Sequence, residues 1–535
     1  MAATHEVLNQ PPPLTDFDVA DDPALLDALA REGAGWALPQ VRDLGRLAGS
    51  AQAREWGRLA NEHPPRLHTH DRFGNRIDEV EFHPAWHSLM QVAVEHGLHA
   101  APWASSRPGA HVARAAGFYV WGSAEAGHTC PISMTYAAVP ALRHAPALAE
   151  VYEPLLAATV YDPGTRPPLT KGGLLAGMSM TEKQGGSDVR ASTTRAVPAG
   201  DGSYRLTGHK WFTSAPMCDL FLVLAQAPSG LSCFLLPRDH NDLWFPRLKD
   251  KLGNRSNASA EVEYDGAVAW LVGDEGRGIQ TIIDMVNMTR LDCVLGTATL
   301  LRSAVVAAAH HCRYRSAFGR PLVSQPAMAN VLADLALESE AATVAAFRLA
   351  GATDRAIRGS SAETAFRRLA LAATKYWVCK RAPGHTAEAL ECLGGNGYIE
   401  DSGMPRLYRE APLSSIWEGS GNVAALDVLR AVVREPDSVQ ALFGEIEQAA
   451  GADRRLDSAI LSLKDMLASV PEESAARLIA ERIALVLQAS LLVRHGHPAV
   501  ADAFCASRLG GDWGHAYGTL PAGLDLAAII ARANT

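Results

Sequence analysis

The stretch SSIWEGSGN, residues 414–422, holds one carboxylate, Glu418, between an indole and a run of small residues. Two chemistries suit it. Desolvation by Trp417 would raise the carboxyl pKa toward neutrality, which a general base at pH 7 requires. Alternatively, the carboxylate stabilises the N-terminus of the helix that follows. That helix is expected over 423–434, with Asn422 as its N-cap and Val423, Leu426, Leu429 and Val433 as its apolar stripe.

Four other stretches offer binding chemistry, and each has a plainer reading beside it. MTEKQGGSDV (180–189) follows an apolar run and offers glycines, hydroxyls and backbone N–H groups. It suits a polar cofactor or an anion, or is a hairpin loop. No Gly-Lys-Ser/Thr follows it, and no strand-to-helix junction carries G-x-G-x-x-G, so neither nucleotide fingerprint applies. HKWFTS (209–214) places Trp211 and Thr213 on one face of a strand by period two, as core or as a stacking platform. RSAFGRPLVSQ (315–325) is either a phosphate clamp or an interhelix loop. LGGNGY (393–398) permits close backbone approach or caps a helix. The histidines of HPPRLHTHDRFG and FHPAWHSLM lack a compact ligand spacing; their Pro, Asp and Gly neighbours indicate a surface loop rather than a metal site.

The elements that must position these residues fall in the order α, β, α, α. Residues 1–172 form an extended N-terminal arm (LNQPPPL) and a helical domain. Residues 173–277 read as a β-domain, from the short apolar runs GLLAGMSM, SYRLTGHKWFTS, DLFLVLAQA, LSCFLLPR and SAEVEYDGAVAWLVG with turn clusters between them. Residues 278–434 return to long helical periodicity, and 435–535 form an extra C-terminal helical domain. The class is α+β, and no repeat is evident.

Composition is that of a globular protein, 48% hydrophobic and 20% charged. The net charge of −9 gives no global nucleic-acid footprint. Eight scattered cysteines without a C-x-x-C pair indicate free thiols in a reducing cytoplasm. The N-terminus lacks signal-peptide features, and no apolar run reaches the roughly 18 residues of a membrane span.

Taken in order, MTE…GSDV, KWFT, RxxFGxxL…Q, LGGNGY and YREAPLSSIWEGS resemble the acyl-CoA dehydrogenase family over roughly residues 80–434. The departures TEKQGGSD and WEGSGN, the N-terminal arm, KDKLGNRSNAS and the helical tail are similar to the family's bacterial alkylation-response branch, nearly end to end. The resemblance implies the family fold: a helical domain, a β-barrel or sandwich domain, a helical bundle and the added helical domain. It implies FAD and an acyl-CoA substrate. Met178, Met180, Thr181, Gly186 and Ser187 would face the flavin and pyrophosphate. Trp211, Phe212, Thr213 and Ser214 would flank the isoalloxazine, and Trp417, Gly419, Ser420 and Asn422 would also bind the cofactor. Arg315, Phe318, Gln325, Gly394 and Gly395 would reach the adenine half of FAD on a neighbouring subunit of a homotetramer.

Some family members carry the base on the long helix, where this chain reads NMTRLD with Thr289 and no glutamate. The resemblance therefore makes Glu418 the base and Arg290 its orienter. The backbone N–H at the glutamate and a flavin hydroxyl would hold the enolate oxygen. The branch implies weak oxidation of a short branched acyl-CoA and, as the alternative function, binding of double-stranded DNA against alkylation damage. Residues 440–535 hold 8 Lys and Arg against 11 Asp and Glu, so a DNA surface must be local. Candidates are Arg430, Arg434, Arg508 and the loop RLKDKLGNR (247–255).

Overall fold

LFLVLAQA and GLSCFLLP are apolar without alternation, the pattern of strands covered on both faces. They form the paired strands Leu220–Ala227 and Gly230–Pro237. The structure is a computed structural model and describes residues 4–238, 242–468 and 471–533. The chain divides into two units. The first holds Met1–Ala51, His111–Ser123 and Cys293–Thr535; the second holds Gln52–Ala110 and Ala124–Asp292.

In the second unit, a hairpin of β1 (Arg66–His70) and β2 (Arg76–Glu81) replaces the expected surface loop. Its turn closes because the Asp71 carboxylate accepts from Phe73 N–H at 2.8 Å and Asn75 N–H at 2.9 Å. The histidines serve this local structure. His68 pairs with Glu81, His63 stacks on His83, and His83 Nδ1 accepts from Ala85 N–H at the start of helix Pro84–Glu95.

The remaining strands are β3 (Ala176–Ser179), β4 (Arg195–Pro198), β5 (Tyr204–Ser214), β6 (Leu220–Ala227), β7 (Gly230–Pro237), β8 (Leu243–Trp244) and β9 (Ser259–Val272). β5 pairs with β4 and β9, β4 with β6, β6 with β7, and β7 with β9. The pairings close a ring, a small barrel filled by Leu206, Val223, Phe234 and Val262, all at most 1% exposed.

In the first unit, helix Ser361–Glu391 is central. It packs against Pro326–Ile357, Gly421–Arg434, Pro436–Ile446 and Ala476–His495. The C-terminal helices are tied to Pro326–Ile357 by buried ion pairs. Arg508 Nη2 donates to Asp334 at 2.6 Å and to Glu338 at 2.9 Å, and Arg381 also reaches Glu338. Arg348 and Arg494 share Glu445, and Arg532 holds Glu340. Arg508 is 5% exposed, so the expectation that it meets DNA is corrected: its charge is committed to docking the tail. The helix Gly278–Tyr314 contains an 18-residue window apolar enough to cross a membrane by composition, against the expectation of no such run, but 78% of that window is buried within the protein.

These carboxylates make stability acid-sensitive. Burial alone would push the Glu338 and Glu445 carboxyls up. The Arg381 and Arg508 charges overcome this for Glu338, and Arg348 and Arg494 for Glu445, holding each at about 2. In the second unit Glu125 is also held at about 2, where burial is outweighed by His128 and the N–H groups of residues 127–128. A folded pKa below the unfolded one stabilises above the unfolded pKa and ceases to as pH falls through the folded value. Each carboxylate contributes about 3 kcal/mol on this argument. Denaturant midpoints should hold near neutrality and drop steeply from about pH 4.5 toward 2; a flat profile across that window would contradict the assignment.

Candidate functional site

β5 carries the aromatics singled out in the sequence, but not in simple alternation. Lys210 pairs with Val262 and Thr213 with Ala260, so Trp211 and Phe212 together oppose Glu261. This bulge inserts a residue and re-aims the strand. Lys210 and Thr213 therefore both point inward, at 0% and 2% exposure, while Phe212 is 47% exposed. The expectation that Trp211 and Thr213 share a face is corrected by the bulge. Thr213 Oγ1 is hydrogen-bonded to Ser179 Oγ, which accepts from the Tyr264 hydroxyl at 3.1 Å.

Trp211 is half-buried, and the Lys249 ammonium lies 3.0 Å from its ring centroid. Glu261 holds Lys249 at 2.7 Å and Arg247 at 2.6 Å, so the loop 247–255 spends its first two cations on the bulge. Trp211 N–H donates to Thr181 O at 2.8 Å, joining the strand to the loop after β3. Within that loop Gly186 has no room for a side chain: a Cβ would stand 2.4 Å from Thr181 Oγ1. Met178, Met180 and Thr181 are half-buried, and Ser187 and Phe212 face outward.

The anchor of this loop is a pair that the sequence analysis missed. Lys210 Nζ donates to Glu182 Oε1 at 2.8 Å and to Leu224 O at 2.7 Å, and both side chains are fully buried. Glu182 also accepts from Thr193 N–H, Thr194 N–H and Gln184 Nε2. Burial would raise its carboxyl; the Lys210 ammonium and these donors instead hold it well below the usual carboxylate range. Lys210 lies four residues after Leu206, an inward position of the same strand, so period two could have flagged it. Nothing local marks Glu182.

In the first unit, the chain runs through a 3-10 turn at Leu413–Ser415 into Trp417, Glu418 and Gly419 before helix Gly421–Arg434. Glu418 has φ +56° and Gly419 φ +105°. A left-handed glutamate costs about 1–2 kcal/mol, so the surroundings must impose it. Ser420, not Asn422, occupies the N-cap position; Asn422 lies within the first turn and its Oδ1 accepts from Arg477 Nε at 2.8 Å. The helix buries Ala424, Ala425, Val428, Leu429 and Ala431, while Val433 is 51% exposed. The expected stripe is rotated because Ser361–Glu391 and Ala476–His495 press on its small residues. Trp417 Nε1 is buried without a hydrogen-bond partner.

Beyond the long helix, Arg315 Nη1 donates to Asn9 O at 2.7 Å, and Asn9 exchanges hydrogen bonds with Ser316. The arm is thereby stitched to the 315–325 loop. Gln325 Nε2 donates to Ala317 O at 3.0 Å, and Phe318, at φ +52°, is 96% exposed. Gly394 (φ +59°) and Gly395 open a 3-10 turn, and a methyl group added at either would meet nothing within 4 Å.

Three family profiles match within residues 9–433: Adaptive response protein AidB N-terminal domain at residues 9–163, acyl-CoA dehydrogenase middle domain at 177–267, and acyl-CoA dehydrogenase C-terminal domain at 276–433. The chain is 46% identical over 510 residues to the Escherichia coli (strain K12) putative acyl-CoA dehydrogenase AidB, with 94% of each covered. This chain belongs to the acyl-CoA dehydrogenase family. It is also 31% identical to Caenorhabditis elegans acyl-CoA dehydrogenase family member 11, covering 89% of this chain and 83% of that one. The crystal structure of C. elegans ACDH-11 in complex with C11-CoA superposes with TM-score 0.87 at 28% identity, over 95% of this chain and 94% of that one.

Within this acyl-CoA dehydrogenase, Thr289 on helix Gly278–Tyr314 is 3% exposed and turns its hydroxyl back to Val286 O at 3.1 Å. Arg290 beside it is 6% exposed and belongs to the second unit, whereas Glu418 belongs to the first. Arg430 and Arg434 are exposed, and Arg430 pairs with Asp427 at 3.0 Å.

Proposed function

We propose that this protein is an FAD-dependent dehydrogenase of short branched acyl-CoA thioesters, with Glu418 as the base. The observation that carries it is Glu418 itself, half-buried beside an indole and held left-handed at a family motif position. The residues suit a flavin. Trp417 presents a buried Nε1–H that lacks an acceptor, and Trp211 has a cation on its ring and its backbone tied to Thr181. The residues that would hold FAD are Met178, Met180, Thr181, Gly186, Ser187, Trp211, Phe212, Thr213 and Ser214, with Trp417, Gly419, Ser420 and Asn422. When bound, the flavin supplies the acceptor for a substrate hydride.

The chain does the rest. Glu418 removes the α-proton, and its own backbone N–H would donate to the developing enolate oxygen. The half-buried setting limits the access of water. Arg315, Phe318, Gln325, Gly394 and Gly395 would complete the adenine site of a second copy. The exposed Phe318, Tyr398, Ile399 and Ile416, between 51% and 96% exposed, support a tetramer that covers them. Eight buried free cysteines suit a reducing cytoplasm. Anaerobic titration with isovaleryl-CoA should bleach the yellow protein; an unbleached flavin with every short acyl-CoA would leave only a flavoprotein scaffold.

Duplex DNA binding is a second reading, supported by exposed Arg430 and Arg434 and by the adaptive-response N-terminal domain. Two phosphate contacts would give a log K against log salt slope of about −2. Filter binding that is absent at low salt would remove this reading.

A further inference from the structure

Lys375 sits near the middle of helix Ser361–Glu391 and is 1% exposed. A buried ammonium is costly unless its donors are met. Here Nζ donates to Trp417 O at 2.8 Å and also to Gly419 O. Among the described residues, no carboxylate lies within ion-pair distance of it. Its two acceptors are the carbonyls of the residues immediately before and after Glu418.

We propose that Lys375 is a positioning residue for the base. One cation gathers the carbonyls of Trp417 and Gly419, which draws the 417–418 and 419–420 peptides toward the helix and holds Glu418 between them at φ +56°. Gly419, at φ +105°, lets the second carbonyl turn back to the same ammonium. The helix that carries Lys375 packs against Pro326–Ile357, Gly421–Arg434, Pro436–Ile446 and Ala476–His495, so the clamp stands on a rigid element. Lys375 does not touch the substrate in this account. It fixes where the carboxylate and the adjacent N–H point, and a misplacement of about 1 Å at such a group costs roughly a hundredfold in rate.

This inference rests on the reading of Glu418 as the base, and the test separates the two. The readout is exchange of the α-hydrogen of isovaleryl-CoA with D2O, followed by mass spectrometry on FAD-loaded protein, alongside acyl-CoA affinity by calorimetry. Lys375→Met should slow exchange by roughly a hundredfold while acyl-CoA affinity changes less than about threefold. Lys375→Gln, which keeps an N–H donor without a buried charge, should recover part of the exchange. If the Met variant does not fold, the Gln variant decides, since it should still fall at least tenfold below the parent. Parent-level exchange in either folded variant would overturn the clamp. If Glu418→Gln itself leaves exchange intact, the base assignment fails instead; if Glu418→Gln abolishes exchange and the Lys375 variants do not, only the clamp fails.

Discussion

Glu418→Gln should lower the rate of flavin reduction by an isovaleryl thioester by roughly 10²–10⁴-fold, the range that positioned base catalysis supplies. Glutamine matches glutamate in shape and accepts the left-handed φ +56° no worse, so the turn and the FAD content should survive. Affinity for acyl-CoA should change little, because the loss is of a proton acceptor and not of a contact surface. Stopped-flow absorbance at saturating acyl-CoA reads this directly. A variant that reduces its flavin at the parent rate would remove Glu418 from the chemistry. Thr289 offers no substitute, since its hydroxyl is buried and bonded to its own helix.

The second large effect is expected at Lys210→Met. The change strands Glu182 in a fully buried site where Lys210 is its cation. Breaking one partner of a buried pair costs about 3–5 kcal/mol. The loss should fall on the loop that Glu182 anchors through Thr193 and Thr194, and hence on the Thr181 carbonyl that receives Trp211 N–H. Purified protein should melt several degrees lower and retain well under half of its flavin. The double change Lys210→Met with Glu182→Leu should regain much of the melting temperature, because an apolar pair replaces an ionic one at little net cost. It should not regain the flavin, since the loop loses its anchor. A single variant with the parent's melting temperature and full flavin would show that the pair is dispensable.

The barrel was legible because β6 and β7 are apolar throughout, and the boundaries read from turn clusters lie within a few residues of the strands. The hairpin at Arg66–Glu81 was hidden by polar residues on both faces, which leave no alternation to read. Local patterns also misplaced features whose cause is tertiary. The bulge at Trp211–Phe212 breaks period two because Glu261 faces both residues. The apolar stripe of Gly421–Arg434 is rotated because two neighbouring helices prefer its alanines. Arg508 reads as a surface charge until Asp334 and Glu338, more than 150 positions earlier, come to meet it. Lys375 is the same lesson at the site itself. A lysine in a helix announces nothing, and its acceptors are backbone carbonyls, which no sequence pattern marks.

The central claim is that Glu418 addresses the α-carbon of an acyl-CoA thioester. A crystal structure of the FAD-loaded protein with a non-oxidisable acyl thioester tests it most directly. The account predicts the Glu418 carboxylate within about 3–3.5 Å of the α-carbon, the near-attack range, with Lys375 still on the two flanking carbonyls. A different carboxylate at that position, or Glu418 turned away toward solvent, would contradict it.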